Sequence, residues 1–121
     1  MNARSILEGK GYEVRSIAPD ALVFEALEAM AGHKVGALMV VENDRLIGVI
    51  SERDYTRKVV LKDRSSKSTR ISEIMTPDPV QVGPEATLEE CMAMMGQHRV
   101  RHLPVTEEGK VLGVISSTRS E

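Results

Sequence analysis

An α/β fold made of two similar β-α-β-β-α units is what this sequence predicts, on two observations. The first is a gapless internal repeat: Ile17 to Ser51 and Val82 to Ser116 align at a constant offset of 65 residues. Identities fall at Pro19 and Pro84, Ala21 and Ala86, Glu25 and Glu90, Met30 and Met95, His33 and His98, Val35 and Val100, Leu38 and Leu103, and Val40 and Val105. They continue through Gly-Val-Ile-Ser, which begins at Gly48 and again at Gly113. The second is a shared order within each copy, in which a stretch of helical period is followed by two β-type runs around a turn. Each copy is too small to bury an apolar face alone, so the two are expected to pack together.

In the first copy, Val14 to Ile17 reads as a short strand closed by Pro19, which resets the backbone before a helix over 21–33. Val23, Ala26, Leu27 and Met30 lie at i, i+3, i+4 and i+7 on one helical face, and Gly32 marks its end. Ala37 to Val41 and Leu46 to Ile50 then flank Asn43-Asp44, a hairpin signature. From Glu52 to Lys62 the helical pattern returns, with Tyr55 and Val59 on one side. Residues 63–70 are polar and charged and are read as a solvated linker, and Ile71 to Pro79 as a short helical turn stopped by two prolines. The second copy repeats the plan: strand 80–82, a helix over 88–98, and strands 103–106 and 111–116 around Glu108-Gly109. Thr87 and Glu90 form a capping box at the start of that helix. The domain boundaries that follow are repeat 1 over 10–62, a linker over 63–76 and repeat 2 over 77–121, with the closing helix of repeat 2 shortened or altered.

Composition narrows the function classes. The chain has 121 residues, 41% hydrophobic but only 2% aromatic, with no Trp, so its core is aliphatic and rich in Met, and base stacking on an aromatic platform is disfavoured. A net charge of −2 exerts no global pull toward nucleic acid or anionic membrane. Apolar runs reach about five residues, far short of the ~20 of a membrane span, and no secretion signal is evident. With Cys91 alone no internal disulfide can form, and a reducing cytoplasm is the simplest setting. Cys91 lies on the apolar stripe of Leu88, Met92 and Met95 and reads as a buried small hydrophobe rather than a nucleophile. His33 and His98, at matching helix ends, complement the helix dipole rather than bind metal. The Met-rich helix carrying Met92, Met94 and Met95 reads as core or dimer interface.

Gly48 to Asp54, Gly-Val-Ile-Ser-Glu-Arg-Asp, starts as an apolar strand and ends in hydrogen-bonding residues. Together with Ile74-Met75-Thr76-Pro77 and His102-Leu-Pro-Val105, in two ordered copies, it resembles the cystathionine β-synthase (CBS) domain pair over nearly the whole chain. The resemblance implies two repeats packed pseudo-symmetrically, leaving two clefts for adenine nucleotides such as AMP, ADP, ATP, NAD or S-adenosylmethionine, and association of pairs as a disc-shaped homodimer. It also implies a regulatory module with no required cofactor, acting on an unidentified protein.

The residues suit that chemistry. A carboxylate only accepts, so Asp54 can take both hydroxyl protons of a ribose. Ser51 can donate to a phosphate, while Arg53 and the backbone N–H groups near Glu52 add positive potential. The alternative is that Ser51 simply caps the helix and Asp54 adds favourable charge to its first turn. In the cleft reading, Arg101 and His102 face phosphate, with adenine between Val14 or Met39 and the Pro104 strand. The first-copy counterparts of Arg101 and His102 are Gly36 and Ala37, which suggests one good site. The other cleft would use Ser116 and Arg119, and Arg cannot accept a ribose proton. Phosphate-loop, dinucleotide, nucleophile-elbow and zinc signatures are absent, so the expectation is a binding module, not an enzyme. A ligand-free dimerisation scaffold is the competing reading.

Overall fold

The computed structural model describes residues 1–116. The chain forms two compact units: a contiguous unit, Arg15–Pro79, and a composite unit that joins Met1–Val14 to the chain from Val80 onward. The fold is mixed α/β, as the repeat predicts. No described helix is long and apolar enough to cross a membrane.

In the contiguous unit, β1 (Ser16–Ile17) runs parallel to β2 (Ala37–Glu42), and β2 pairs antiparallel with β3 (Arg45–Ser51). Asn43 and Asp44 turn the hairpin with φ of 53° and 66°, the left-handed pair that a two-residue turn between twisted strands requires. Helix α2 (Val23–His33) buries Val23, Ala26 and Met30, the predicted stripe, against Leu38, Val40 and Ile50. After β3 comes α3 (Glu52–Tyr55), then a π-helical turn over Thr56–Val60, and α4 (Ile71–Ile74) leads into β4 (Thr76–Pro77), antiparallel to β3. The sequence reading ran one helix from 52 to 62; the wider π-helical turn interrupts it.

Most side chains of residues 63–70 are exposed, while Thr69 is buried, as are Ile71 and Ile74 in the turn that follows. The carbonyls of Thr69 and Ser66 accept from the Val23 and Phe24 amides at 2.8 and 3.0 Å, which satisfies the open N–H groups at the start of α2. Lys67 adds a cation over the Phe24 ring, 5.0 Å from its centre.

The composite unit contains α5 (Leu88–His98) and the hairpin of β5 (His102–Glu107) and β6 (Lys110–Ser116). The Thr87–Glu90 capping box forms in both directions, at 2.8 and 3.1 Å. Cys91 and Met95 are buried, and Met92 is exposed. The expected strand over 80–82 reduces to a single parallel bridge between Val82 and Val105. Both hairpins carry a register shift at the same repeat position, Val40/Val41 and Val105/Thr106.

One element was not foreseen. Helix α1 (Ala3–Lys10) is capped by Asn2, buries Ala3 and Leu7, and packs on β6 in the cluster of Cys91, Met95, Leu103, Val105 and Ile115. The Ala3 and Arg4 amides donate to the carbonyls of Ala86 and Pro84 at 2.7 and 2.9 Å. The Ile71 and Ser72 amides donate likewise to Ala21 and Pro19, both at 2.9 Å. The segment leading into each repeat therefore completes the unit built around the other repeat's helix and hairpin.

Candidate functional site

At the end of β3, Ser51 leaves the strand in an extended conformation and becomes the N-cap of α3. Its Oγ accepts from the Asp54 amide at 3.1 Å, while Asp54 Oδ2 accepts from the Ser51 amide and hydroxyl, both at 3.0 Å. Asp54 Oδ1 accepts from the Thr76 hydroxyl at 3.2 Å and pairs with the Lys58 ammonium at 3.1 Å. Lys58 also donates to the Ile74 carbonyl at 2.9 Å. The carboxylate is 7% exposed, a buried charge stabilised by four donors. The capping reading of Ser51 and Asp54 is thus realised, and an ion pair and a threonine join it.

Arg53 is exposed, with its side chain outside this network. Met39 is buried on β2 between Leu38 and Val40, so strand alternation turns it to the face opposite the unit's core residues.

Val14, Arg101, His102 and Pro104 belong to the composite unit. His102 opens β5 opposite Ser116 on β6, and its Nδ1 lies 3.0 Å from the Ser116 hydroxyl. The sequence groups His102 with Ser51 and Asp54, and the hydrogen bond its side chain makes is with the serine of its own hairpin. In the contiguous unit the same register sets Ala37 opposite Ser51, so Ser51 has no imidazole across the ladder and turns to Asp54.

Burial pushes the His102 imidazole below its usual range, and the positive charges of Arg101 and Lys10 push it further the same way. Lys10, at the end of α1, donates to the Val114 carbonyl on β6 at 2.9 Å. Arg101 and Ser116 are exposed, Pro104 is buried and Val14 is half-buried. This cluster sets two cations, Arg101 and Lys10, beside an imidazole and a hydroxyl, whereas the one at Asp54 is centred on an anionic acceptor. Arg119, the counterpart of Asp54, lies outside the described residues.

Three residues of these clusters were missed from sequence. Lys58 stands four residues after Asp54, a spacing that signals an intrahelical ion pair. Thr76 sits in the Met-Thr-Pro stretch already singled out, though without an assigned contact. Lys10 had no readable signal, because its position depends on α1 docking on β6. Cys91 behaves as expected: burial, then the charge of Glu90, pushes its thiol up, away from reactivity.

Comparison with known proteins places both copies. The CBS domain family matches residues 11–61 and 71–119. A mitochondrial CBS domain-containing protein of Arabidopsis thaliana, CBSX3, is 41% identical over 102 residues, covering 80% of this chain; those residues span 50% of that relative's length. Among solved structures, a candidate signal-transduction protein with CBS domains from Burkholderia ambifaria is 44% identical with a TM-score of 0.86, over 96% of this chain and 88% of that one. The structure of CBSX2 in complex with AMP is 28% identical with a TM-score of 0.74, over 86% of this chain and 81% of that one. Two matched copies, joined by the gapless repeat and by two hairpins of matching register, make this chain a member of the CBS-domain family, carrying the domain as a tandem pair.

Proposed function

We propose that this chain is a non-catalytic regulatory module that binds an adenine nucleotide, of which AMP, ATP and NAD are the candidates, and transmits its occupancy to a partner protein or to a second copy of itself. The single observation that carries the reading is the Asp54 carboxylate, held by Ser51 at the head of α3 as an acceptor for a ribose. CBSX2 in complex with AMP, a protein of the same fold, supports it. Arg101 and His102 are proposed to meet phosphate, and Val14, Met39 and Pro104 to wall the base. The response is a shift between conformers, bounded by the ligand's differential affinity for them.

A second reading is favoured by the closure of the Asp54 network. All four of its donors come from the protein, as in a purely structural cap, and the pair would then serve as a ligand-free dimerisation scaffold. A thermal-shift panel with AMP, ATP, NAD and S-adenosylmethionine separates the two. Ligand at about 100 times its dissociation constant adds about 2.7 kcal/mol of stability. In Asp54→Ala the loss of a charge-assisted hydrogen bond weakens binding by about 1.5–3 kcal/mol. A panel with no shift for any ligand leaves the scaffold reading standing.

A further inference from the structure

A carboxylate offers about four acceptor positions, and all four at Asp54 are taken. Two donors on Oδ2 come from Ser51 and belong to the cap of α3. The two on Oδ1 come from elsewhere: Thr76 on β4 and Lys58 in the π-helical turn. Lys58 also holds the Ile74 carbonyl, the last residue of α4, so Oδ1 is the point at which the 71–77 segment is tied to α3. At 7% exposure, a ligand hydroxyl cannot reach this oxygen unless one of the present donors leaves. A ribose brings two O–H donors and therefore has to replace two. Displacing the Ser51 pair would break the return half of the capping box at α3. Displacing the Oδ1 pair exchanges one hydroxyl donor for another and breaks one ion pair whose lysine side chain is already 43% exposed, the cheaper exchange.

We propose that Lys58 and Thr76 form a displaceable latch, opened when a nucleotide's ribose hydroxyls take over Asp54 Oδ1, so that binding frees the segment joining the two repeats. Lys58 is a positioning residue here, competing with the ligand while holding the 71–77 segment closed. The inference rests on Asp54 being the ribose acceptor and adds how occupancy is passed on. It commits to a diol ligand: 2′-deoxy-AMP, with one hydroxyl fewer, opens the latch less.

The test combines calorimetric titration of AMP with amide hydrogen exchange at Met75 and Thr76, on the full chain and on Lys58→Met, which keeps the stem and removes the charge. In the wild type, AMP speeds exchange at these amides about two- to five-fold, the equivalent of a partly exposed ion pair. Lys58→Met exchanges faster without ligand, gains little on adding AMP, and binds AMP tighter by a similar factor. A purely structural lysine would speed exchange on mutation but would not tighten binding. AMP binding that leaves exchange at 75–76 unchanged or slower, or Lys58→Met binding no tighter than wild type, overturns the latch and spares the functional reading. Absence of AMP binding to the wild type overturns both.

Discussion

The contiguous and composite units share a backbone plan and differ in what they do with it. In each, a lead segment donates two amides to the stretch before the main helix, a bridge joins the two (Arg70 to Leu22, Asn2 to Thr87), and a lead side chain covers the glycine of the second hairpin strand. Met75 sits over Gly48 and Leu7 over Gly113. Upon this plan the contiguous unit gathers donors around a carboxylate, while the composite unit sets positive charge beside an imidazole and a hydroxyl. The backbone scaffold can therefore be kept between two copies of a repeat while the local chemistry changes sign: Ser51, opposite Ala37, bonds to Asp54, and Ser116, opposite His102, bonds to the imidazole.

Helix capping separates the units in the same way. Thr87 caps α5 with its own side chain, so that helix start is fixed within four residues. Its counterpart Leu22 has no side-chain acceptor, and α2 draws on the carbonyls of Ser66 and Thr69, more than forty residues away. Cutting or replacing the 63–70 stretch therefore disturbs the start of α2, whereas α5 has its own side-chain cap and adds one helix-start hydrogen bond from its lead segment, the Leu88 amide to the Met1 carbonyl at 3.1 Å.

The strongest probe of the comparison lies in the lead segments. Leu7→Ala removes a fully buried side chain from the composite core and is expected to cost about 2–5 kcal/mol in urea unfolding, with Met75→Ala, only half-buried, costing less. Equal costs would show that the two lead segments bear equal weight. Next come the covered glycines. A Cβ at Gly113 would meet Leu7 side-chain atoms at 2.8 and 3.0 Å, and one at Gly48 would meet Met75 Sδ at 2.7 Å and the Thr76 backbone oxygen at 3.0 Å. Both alanine variants are expected to lose about 1–3 kcal/mol by overpacking. Gly48→Ala is the worse, since a backbone oxygen cannot rotate away, and thermal melts of the two variants rank them.

The smallest effect is the proton on His102. Its folded pKa lies below the ordinary 6.5, so both folded and unfolded chains carry a neutral ring well above that pH. As pH falls through 6.5 toward the lower folded value, the unfolded chain takes up the proton first, and the contribution to stability is lost. The imidazole Cε1–H resonance should titrate with a midpoint below 6.5, and Lys10→Gln should move it back upward by removing one of the opposing charges. A midpoint insensitive to Lys10 would detach α1 from the His102 cluster.

Much of this was legible in the sequence where the cause is local. Helices α2 and α5 follow from the apolar period, the hairpins from Asn43-Asp44 and Glu108-Gly109, and the Ser51–Asp54 cap from residues three apart. The polar 63–70 stretch keeps most of its side chains exposed, but its contacts to α2 run through main-chain carbonyls, which composition does not reveal. Helix α1 was invisible because only Ala3 and Leu7 are fully buried in it, too few for a periodic signal.

The sequence by itself determined the repeat, the main helix and hairpin of each copy, the family, and the one copy that keeps a carboxylate just after the strand. Each of these is written in residues a few positions apart or in a constant offset. The tertiary structure alone decided that each lead segment completes the unit of the other repeat, that Lys58 and Thr76 close on Asp54, and that Lys10 stands by His102. The reason is physical: an unsatisfied amide, a bare glycine or a buried carboxylate demands a partner, but the demand does not say which distant segment will meet it.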